Sequence, residues 1–165
     1  MGNAPGSPPA DFDDTFTRSF GPMVRSLAVA CGDREVAADA VQEAFTKAFV
    51  RWGRVSRLDD PPGWIRHVAL NKIRDHFRKA ERGRRAVARL ANDTETVVAA
   101  PPEPSDLSAR LAALPEQQRI AAALFYVEDL SVAEIAHAMH LSDGAVKYHL
   151  HAARASLRAA MEPQS

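Results

Sequence analysis

Two stretches of this sequence carry side chains at spacings suited to holding nucleic acid. In SVAEIAHAMHLSDGAVKYHLHAARASLR, residues 131–158, one helical face gathers Gly144, Lys147, Tyr148, His151, Arg154 and Arg158. Lys147 and Arg154 are suited to phosphate oxygens, and Tyr148 and His151 to base edges. In GWIRHVALNKIRDHFRKAERGRR, residues 63–85, Trp64, His67, Asn71, Arg74, Asp75 and Arg78 gather opposite an apolar side of Ile65, Ala69, Ile73 and Phe77. Arginines hold phosphates, and an aromatic ring or an amide can hold an unstacked base, so this face suits opened rather than closed nucleic acid. Periodicity alone leaves a second role open for Trp64, as a core anchor packed under the preceding loop.

The first stretch has the punctuation of a helix-turn-helix. Ser131 and Glu134 form a capping box, Ala136 is small where two helices would cross, Leu141 packs the turn and Ser142 caps the second helix. Val146, Leu150, Ala153 and Leu157 form that helix's apolar stripe, and its N-terminal half would enter a major groove. His137, His140, His149 and His151 lie here, but no cysteine or carboxylate completes a metal set with them, so surface or DNA-facing roles are expected.

These faces need helices to carry them. Phe12, Phe16, Phe20, Val24 and Leu27 repeat at helical spacing, with Gly21-Pro22 as a bend or boundary. Asp33 reads as the cap of a second helix with a stripe of Val36, Ala40, Val41, Ala44, Phe45, Ala48 and Phe49, ending near Gly53. A polar loop is expected over 53–63, then a helix from Gly63 into the 80s, and another from Glu116 to about Val127. Residues 91–106 lose all periodicity, contain three prolines and read as a flexible linker. With no alternating strand pattern, the expected fold is all-α, in two small helical domains joined by that linker. Residues 1–10 read as a disordered leader, 11–85 as the first domain, 86–106 as the linker and 107–161 as the second domain.

The formal net charge is zero across 165 residues, but it is unevenly spread. Residues 61–90 hold nine basic and two acidic side chains, whereas 91–134 hold two basic and eight acidic ones. A basic block of that size is the footprint expected for a polyanion partner. The lone cysteine, Cys31, supports neither a disulfide framework nor a zinc site. No apolar run is long enough to span a membrane, and the N-terminus has no secretory signal pattern. No Gly-rich phosphate loop, partnered nucleophile or metal set is present, so no enzymatic activity and no cofactor are expected.

In order along the chain, DREVAADAVQEAFTKAF, PPGWIRHVALNKIRDHFRK, LAALPEQQRIAAALFYVEDLSVAEIA and the remainder of 131–158 resemble the motifs of extracytoplasmic-function (ECF) sigma factors, the two-domain branch of the sigma-70 family. The resemblance covers nearly all of residues 11–160. It implies a transcription initiation factor whose partners are core RNA polymerase, through the β′ clamp helices and the β flap, and promoter DNA. Asp39, Gln42, Glu43 and Phe45 would dock on the clamp. Trp64, His67, Asn71, Arg74, Arg78 and Lys79 would hold the −10 element, with the 53–63 loop beside a flipped base. Ser142, Gly144, Lys147, Tyr148, His151 and Arg154 would read the −35 element, and the acidic linker would thread a polymerase channel. An anti-sigma factor is the regulator the family implies, since the chain ends without an appended domain. The implied location is the cytoplasm, at the nucleoid within holoenzyme. A stand-alone helix-turn-helix regulator would leave 11–85 without a role, and a sequestering adaptor would not need the Trp64–Asn71–Arg78 face. The chain departs from the family pattern at His140, where glycine is frequent, at Ala145, where threonine is, and at Ala152, where arginine is.

Overall fold

The computed structural model describes residues 11–90 and 106–162. Among them there are eight helices and no strand. The expected leader, and all of the expected linker except residues 86–90 and 106, lie outside the described residues.

The helix α1, Phe12–Cys31, starts where the Asp11 side chain accepts the Asp13 amide, with Asp13 and Asp14 in its first turn. It runs unbroken through Pro22 and stops at Gly32, whose φ of 77° is open to glycine without strain. The Gly21-Pro22 pair is therefore no boundary. The Asp33 carboxylate then caps α2, Arg34–Val50, accepting the Glu35 and Val36 amides at 3.0 and 3.2 Å. The inward face of α2 is Ala37, Ala40, Val41, Ala44, Phe45 and Ala48. Four alanines there let α2 lie close against α1.

The connection to the next long helix is shorter than the loop expected over 53–63. Residues Trp52–Val55 form one helical turn, α3, and α4 begins at Pro61, where proline's fixed φ and missing amide fit a first helical turn. The helix α4, Pro61–Leu90, spans about 45 Å. It continues through 86–90, which the sequence reading had placed in the linker. Its buried residues, Gly63, Ile65, Arg66, Ala69, Leu70 and Ile73, all lie in the first half. Beyond Phe77 the helix carries its arginines on exposed turns.

The C-terminal half consists of α5, Asp106–Ala112; α6, Glu116–Tyr126; α7, Val132–Met139; and α8, Asp143–Met161. Helices α6 and α8 pack together with α7 across them, and a small cluster of Leu114, Ala122 and Ala153 ties the first turn of this half to α8.

The two halves share one core. Met23, Leu27, Ile65, Leu70 and Ile73 from the first half join Ile120, Leu124, Ile135, Met139, Val146 and Leu150 from the second in a continuous buried cluster. Helix α4 lies against α7, and α1 against α6. The linker reading allowed the halves to sit apart; here they close on each other through apolar surface. None of the described helices is long and apolar enough to cross a membrane.

Candidate nucleic-acid interface

The helix α8 is set by three local devices. In the first, Ser131 Oγ accepts the Glu134 amide at 3.1 Å while the Glu134 carboxylate accepts the Ser131 amide at 2.9 Å. The second is His140, which ends α7 in the left-handed region at φ 53°. In the third, Ser142 Oγ accepts the Ala145 amide at 3.1 Å and starts α8. Val146, Leu150 and Ala153 are buried behind α8, so Gly144, Lys147, Tyr148 and His151 face outward. Tyr148 is 66% exposed. Arg154 is exposed but engaged: its Nε donates to the Tyr126 hydroxyl at 2.6 Å, and its guanidinium lies over the Phe125 and Tyr126 rings at 5.4 and 5.8 Å. Of the two expected phosphate contacts on α8, Lys147 has the freer reach.

The residues expected at opened DNA divide into two groups. Trp64 and Asn71 line a cleft of about 340 Å³ with Glu43, Lys47, Arg51, Val68, Lys72 and Asp75, between α2 and α4. Trp64 also packs against the core while bordering this cleft. Lys72 donates to Glu43 at 2.8 Å, which holds the Glu43 carboxyl below its ordinary range and the Lys72 ammonium above its own. Arg78 pairs with Asp75 at 3.5 Å on the surface, and Lys79 is exposed.

His67 and Arg74 belong to the second group, held by the C-terminal half. His67 Nδ1–H donates to the Ala138 carbonyl at 3.0 Å, and its Nε2 accepts from the Asn71 amide at 3.1 Å, which makes it a neutral ring. Burial pushes its pKa down, against the Ala138 bond, with His140, Arg74 and His137 adding to the depression. Arg74 lies 3.8 Å from Glu116.

Three participants at this junction were not singled out from sequence. Arg66 Nε donates to Glu128 Oε1 at 2.6 Å, and Ser26 Oγ donates to Glu128 Oε2 at 2.8 Å. Both charged side chains are more than nine-tenths buried. The available signal was Arg66 standing beside Ile65 on the inward side of α4; nothing local marked Glu128, which sits in the turn before α7.

On the other side of the N-terminal half, Asp39 and Gln42 are exposed on α2, and Glu43 is the carboxylate paired with Lys72. Phe45 is only 2% exposed and forms the floor of an aromatic groove, so it offers no free side chain of its own for docking. The walls are Phe12, Phe16, Phe20 and Phe49, with Gln42 and Thr46 at the rim, around a volume of about 570 Å³. The outward rings are Phe49 and Phe16, at 65% and 39% exposure, whereas helical periodicity had counted Phe49 in the buried stripe. Among the described residues no group of three or more side chains is arranged to hold a metal ion.

Comparison with known proteins matches these parts in order. Residues 16–83 match the model of sigma-70 region 2, and residues 105–157 that of sigma-70 region 4. The probable RNA polymerase sigma factor RfaY of Xanthomonas campestris pv. campestris is 33% identical over 142 residues, covering 76% of this chain and 34% of that protein. The ECF RNA polymerase sigma factor SigE of Mycolicibacterium smegmatis is 30% identical over 88% of this chain and 60% of its own length. SigM of Bacillus subtilis, also an ECF RNA polymerase sigma factor, is 26% identical over 89% of this chain and 93% of its length. The chain thus spans about a third and 60% of the first two relatives and nearly all of the third. Among solved structures, the sigma factor RpoE of Bartonella quintana, crystallised with the anti-sigma factor NepR, has the same fold at a TM-score of 0.72 and 20% identity, over 94% of this chain and 99% of that one. CnrH, solved with the cytosolic domain of CnrY, has it at a TM-score of 0.64 and 24% identity, over 93% of this chain and 89% of that one. With region 2 and region 4 matched in sequence order, ECF sigma factors among the curated relatives and an all-helical fold shared with sigma factors, the chain belongs to the sigma-70 family as a member of its ECF branch.

Proposed function

We propose that this chain is the ECF-type sigma subunit of a bacterial RNA polymerase, a non-catalytic factor that directs core polymerase to promoters and assists opening of the −10 element. The observation that carries the reading is the placement of two different nucleic-acid faces on the two halves. The outward face of α8, with Lys147, Tyr148 and His151, suits duplex DNA in a major groove. The cleft beside Trp64 and Asn71 suits an unstacked base. The exposed rings of Phe16 and Phe49 beside Asp39 and Gln42 suit a helical partner, which on this reading is the clamp of core polymerase, with the β flap received by region 4. Such a factor acts in the cytoplasm, at the nucleoid. An anti-sigma factor is the proposed regulator; the Bartonella neighbour was crystallised with one.

On this reading the closed arrangement is not the DNA-bound one. The −10 and −35 elements lie about 25 base pairs apart, roughly 85 Å along the duplex. A folded chain of this length has a radius of gyration of about 15 Å, so the halves must separate to reach both elements. Separation would also free His67 and Arg74 for DNA.

The test is co-elution of the purified chain with bacterial core polymerase stripped of its own sigma, followed by run-off transcription from a genomic promoter library. Co-elution with transcripts from a small promoter set is the expected result. Duplex binding by the free chain, without either, would make it a stand-alone regulator instead.

A further inference from the structure

We propose that the stacked His67 and His140 rings, seated between the two halves of the chain, form an acid-sensitive latch, so that protonating His67 releases α7 from α4 and opens the molecule. The inference rests on the sigma reading only for its biological use; the geometry stands without it.

The rings lie face to face with centroids 3.5 Å apart and planes 5° apart. His67 comes from the first half, on α4, and His140 from the second, at the end of α7. His140 occupies a left-handed position, φ 53°, that glycine takes without strain and a histidine does not. A strained backbone at a contact surface points to a role for the side chain it presents, and the contact this side chain makes is the stack on His67.

The bonds around His67 make the junction specific for the neutral ring. Nδ1–H already serves the Ala138 carbonyl, so an added proton must go on Nε2. That nitrogen faces the Asn71 amide nitrogen, itself a donor, at 3.1 Å. Turning the Asn71 amide would remove that conflict but not the next. A charged His67 would be half-buried, with Arg74, His140 and His137 all opposing its charge. Among the described residues the His67 ring bonds are to Ala138 and Asn71, neither of them an acid. Carboxylates of the elements packed here are engaged elsewhere: Glu128 with Arg66, Glu116 with Arg74, Glu43 with Lys72 and Asp60 with His137.

The sign follows from these contacts. In the closed form the His67 pKa is lowered, while in the opened, rehydrated chain the ring returns toward about 6.5. The closed form therefore binds fewer protons. Closure is fully supported above about pH 6.5 and is lost as pH falls through that value toward the closed-form pKa. Each unit by which the pKa rises on opening lowers the closed-to-open ratio tenfold. One contact works the other way: His137 Nδ1 is 3.4 Å from Asp60, and a charged His137 would strengthen that tie between the halves. The His137 side chain is 52% exposed, so solvent screens the pair.

The test uses the full chain with Cys31→Ser and dyes on Thr17→Cys and Ser156→Cys, exposed positions on α1 and α8. Single-molecule energy transfer counts closed and open molecules between about pH 8 and pH 5.5, with far-ultraviolet circular dichroism recorded alongside. The expected result is a fall in the closed population at constant helix content. His67→Asn keeps a donor for Ala138 without a titrating ring, and should make closure insensitive to pH. His140→Gly relieves the backbone and removes the facing ring, and should weaken the response. A closed population independent of pH would overturn the proposal, as would an unchanged response in His67→Asn or loss of helix in step with opening. Neither readout involves polymerase or DNA, so a failed transcription assay would leave this test standing.

Discussion

Arg66 on α4 and Glu128 in the turn before α7 meet at 2.6 Å, sixty-two residues apart, as an ion pair buried between the two halves of the chain. Each ion loses its hydration on closing and regains it on opening, so such a pair adds little net strength compared with apolar packing. Its effect is on register: α4 and α7 can close only where the guanidinium finds the carboxylate and Ser26 supplies the second donor. A junction built this way can be well defined and still reversible.

Removing one partner should therefore open the chain rather than unfold it. Glu128→Ala strands Arg66 in the closed form, at about 3–5 kcal/mol, a cost the open form escapes by rehydrating the guanidinium. Small-angle scattering should show a larger radius of gyration at unchanged helix content. The pair Arg66→Met with Glu128→Leu should restore most of the closure. If Glu128→Ala scatters like the parent, the ion pair does not govern closure.

Gly63 is the second closing point. An added Cβ there would run into the Asp60 carboxylate and His137 Nδ1. Asp60 Oδ1 accepts the Gly63 amide at 3.0 Å at the start of α4, and Gly63→Ala should displace that cap, worth about 1 kcal/mol, and push His137 off the junction. Gly83→Ala is the control. A Cβ there meets nothing within 4 Å, and alanine within a helix should add about 0.5–1 kcal/mol. Thermal denaturation of the two variants should move in opposite directions.

Trp64→Ala should impair promoter opening more than polymerase binding, because its cleft-facing side is lost along with part of its packing. Permanganate reactivity of promoter thymines, compared with co-elution on core polymerase, separates the two. Equal loss in both would assign the ring to the core alone.

Lys147→Ala should weaken promoter binding and reduce the slope of log K against log salt by about 0.9, the loss of one phosphate contact. Arg154→Ala should change that slope less, because its guanidinium is engaged by Tyr126 and Phe125. Its main effect should be lower thermal stability of the C-terminal half. Equal slope changes for the two would place Arg154 on DNA.

Most of the helical layout was legible in the sequence, because caps and periodic stripes act within a few residues of one another. Asp33, Ser131 and Ser142 announced helix starts that the structure shows, and Val146, Leu150 and Ala153 of the α8 stripe are buried as their spacing required, while Leu157 is only partly covered. The loop after α2 was read too long, since proline at the start of a helix resembles proline in a loop. Phe49 was placed inside because periodicity says which residues share a face, not how far the neighbouring helix covers it.

By itself, then, the sequence determined the helical class and the outward face of α8, set by contacts between near neighbours in the chain, while its motifs carried the resemblance to the family and the order of the two modules. Only the tertiary structure decided that the halves share a core, that His67 and Arg74 serve the junction, and that Arg66 meets Glu128. Those outcomes depend on which apolar faces find each other across long separations in sequence. The partner of a charge buried by such a meeting has no local pattern to announce it, because it is chosen by the packing of helices and not by spacing along the chain.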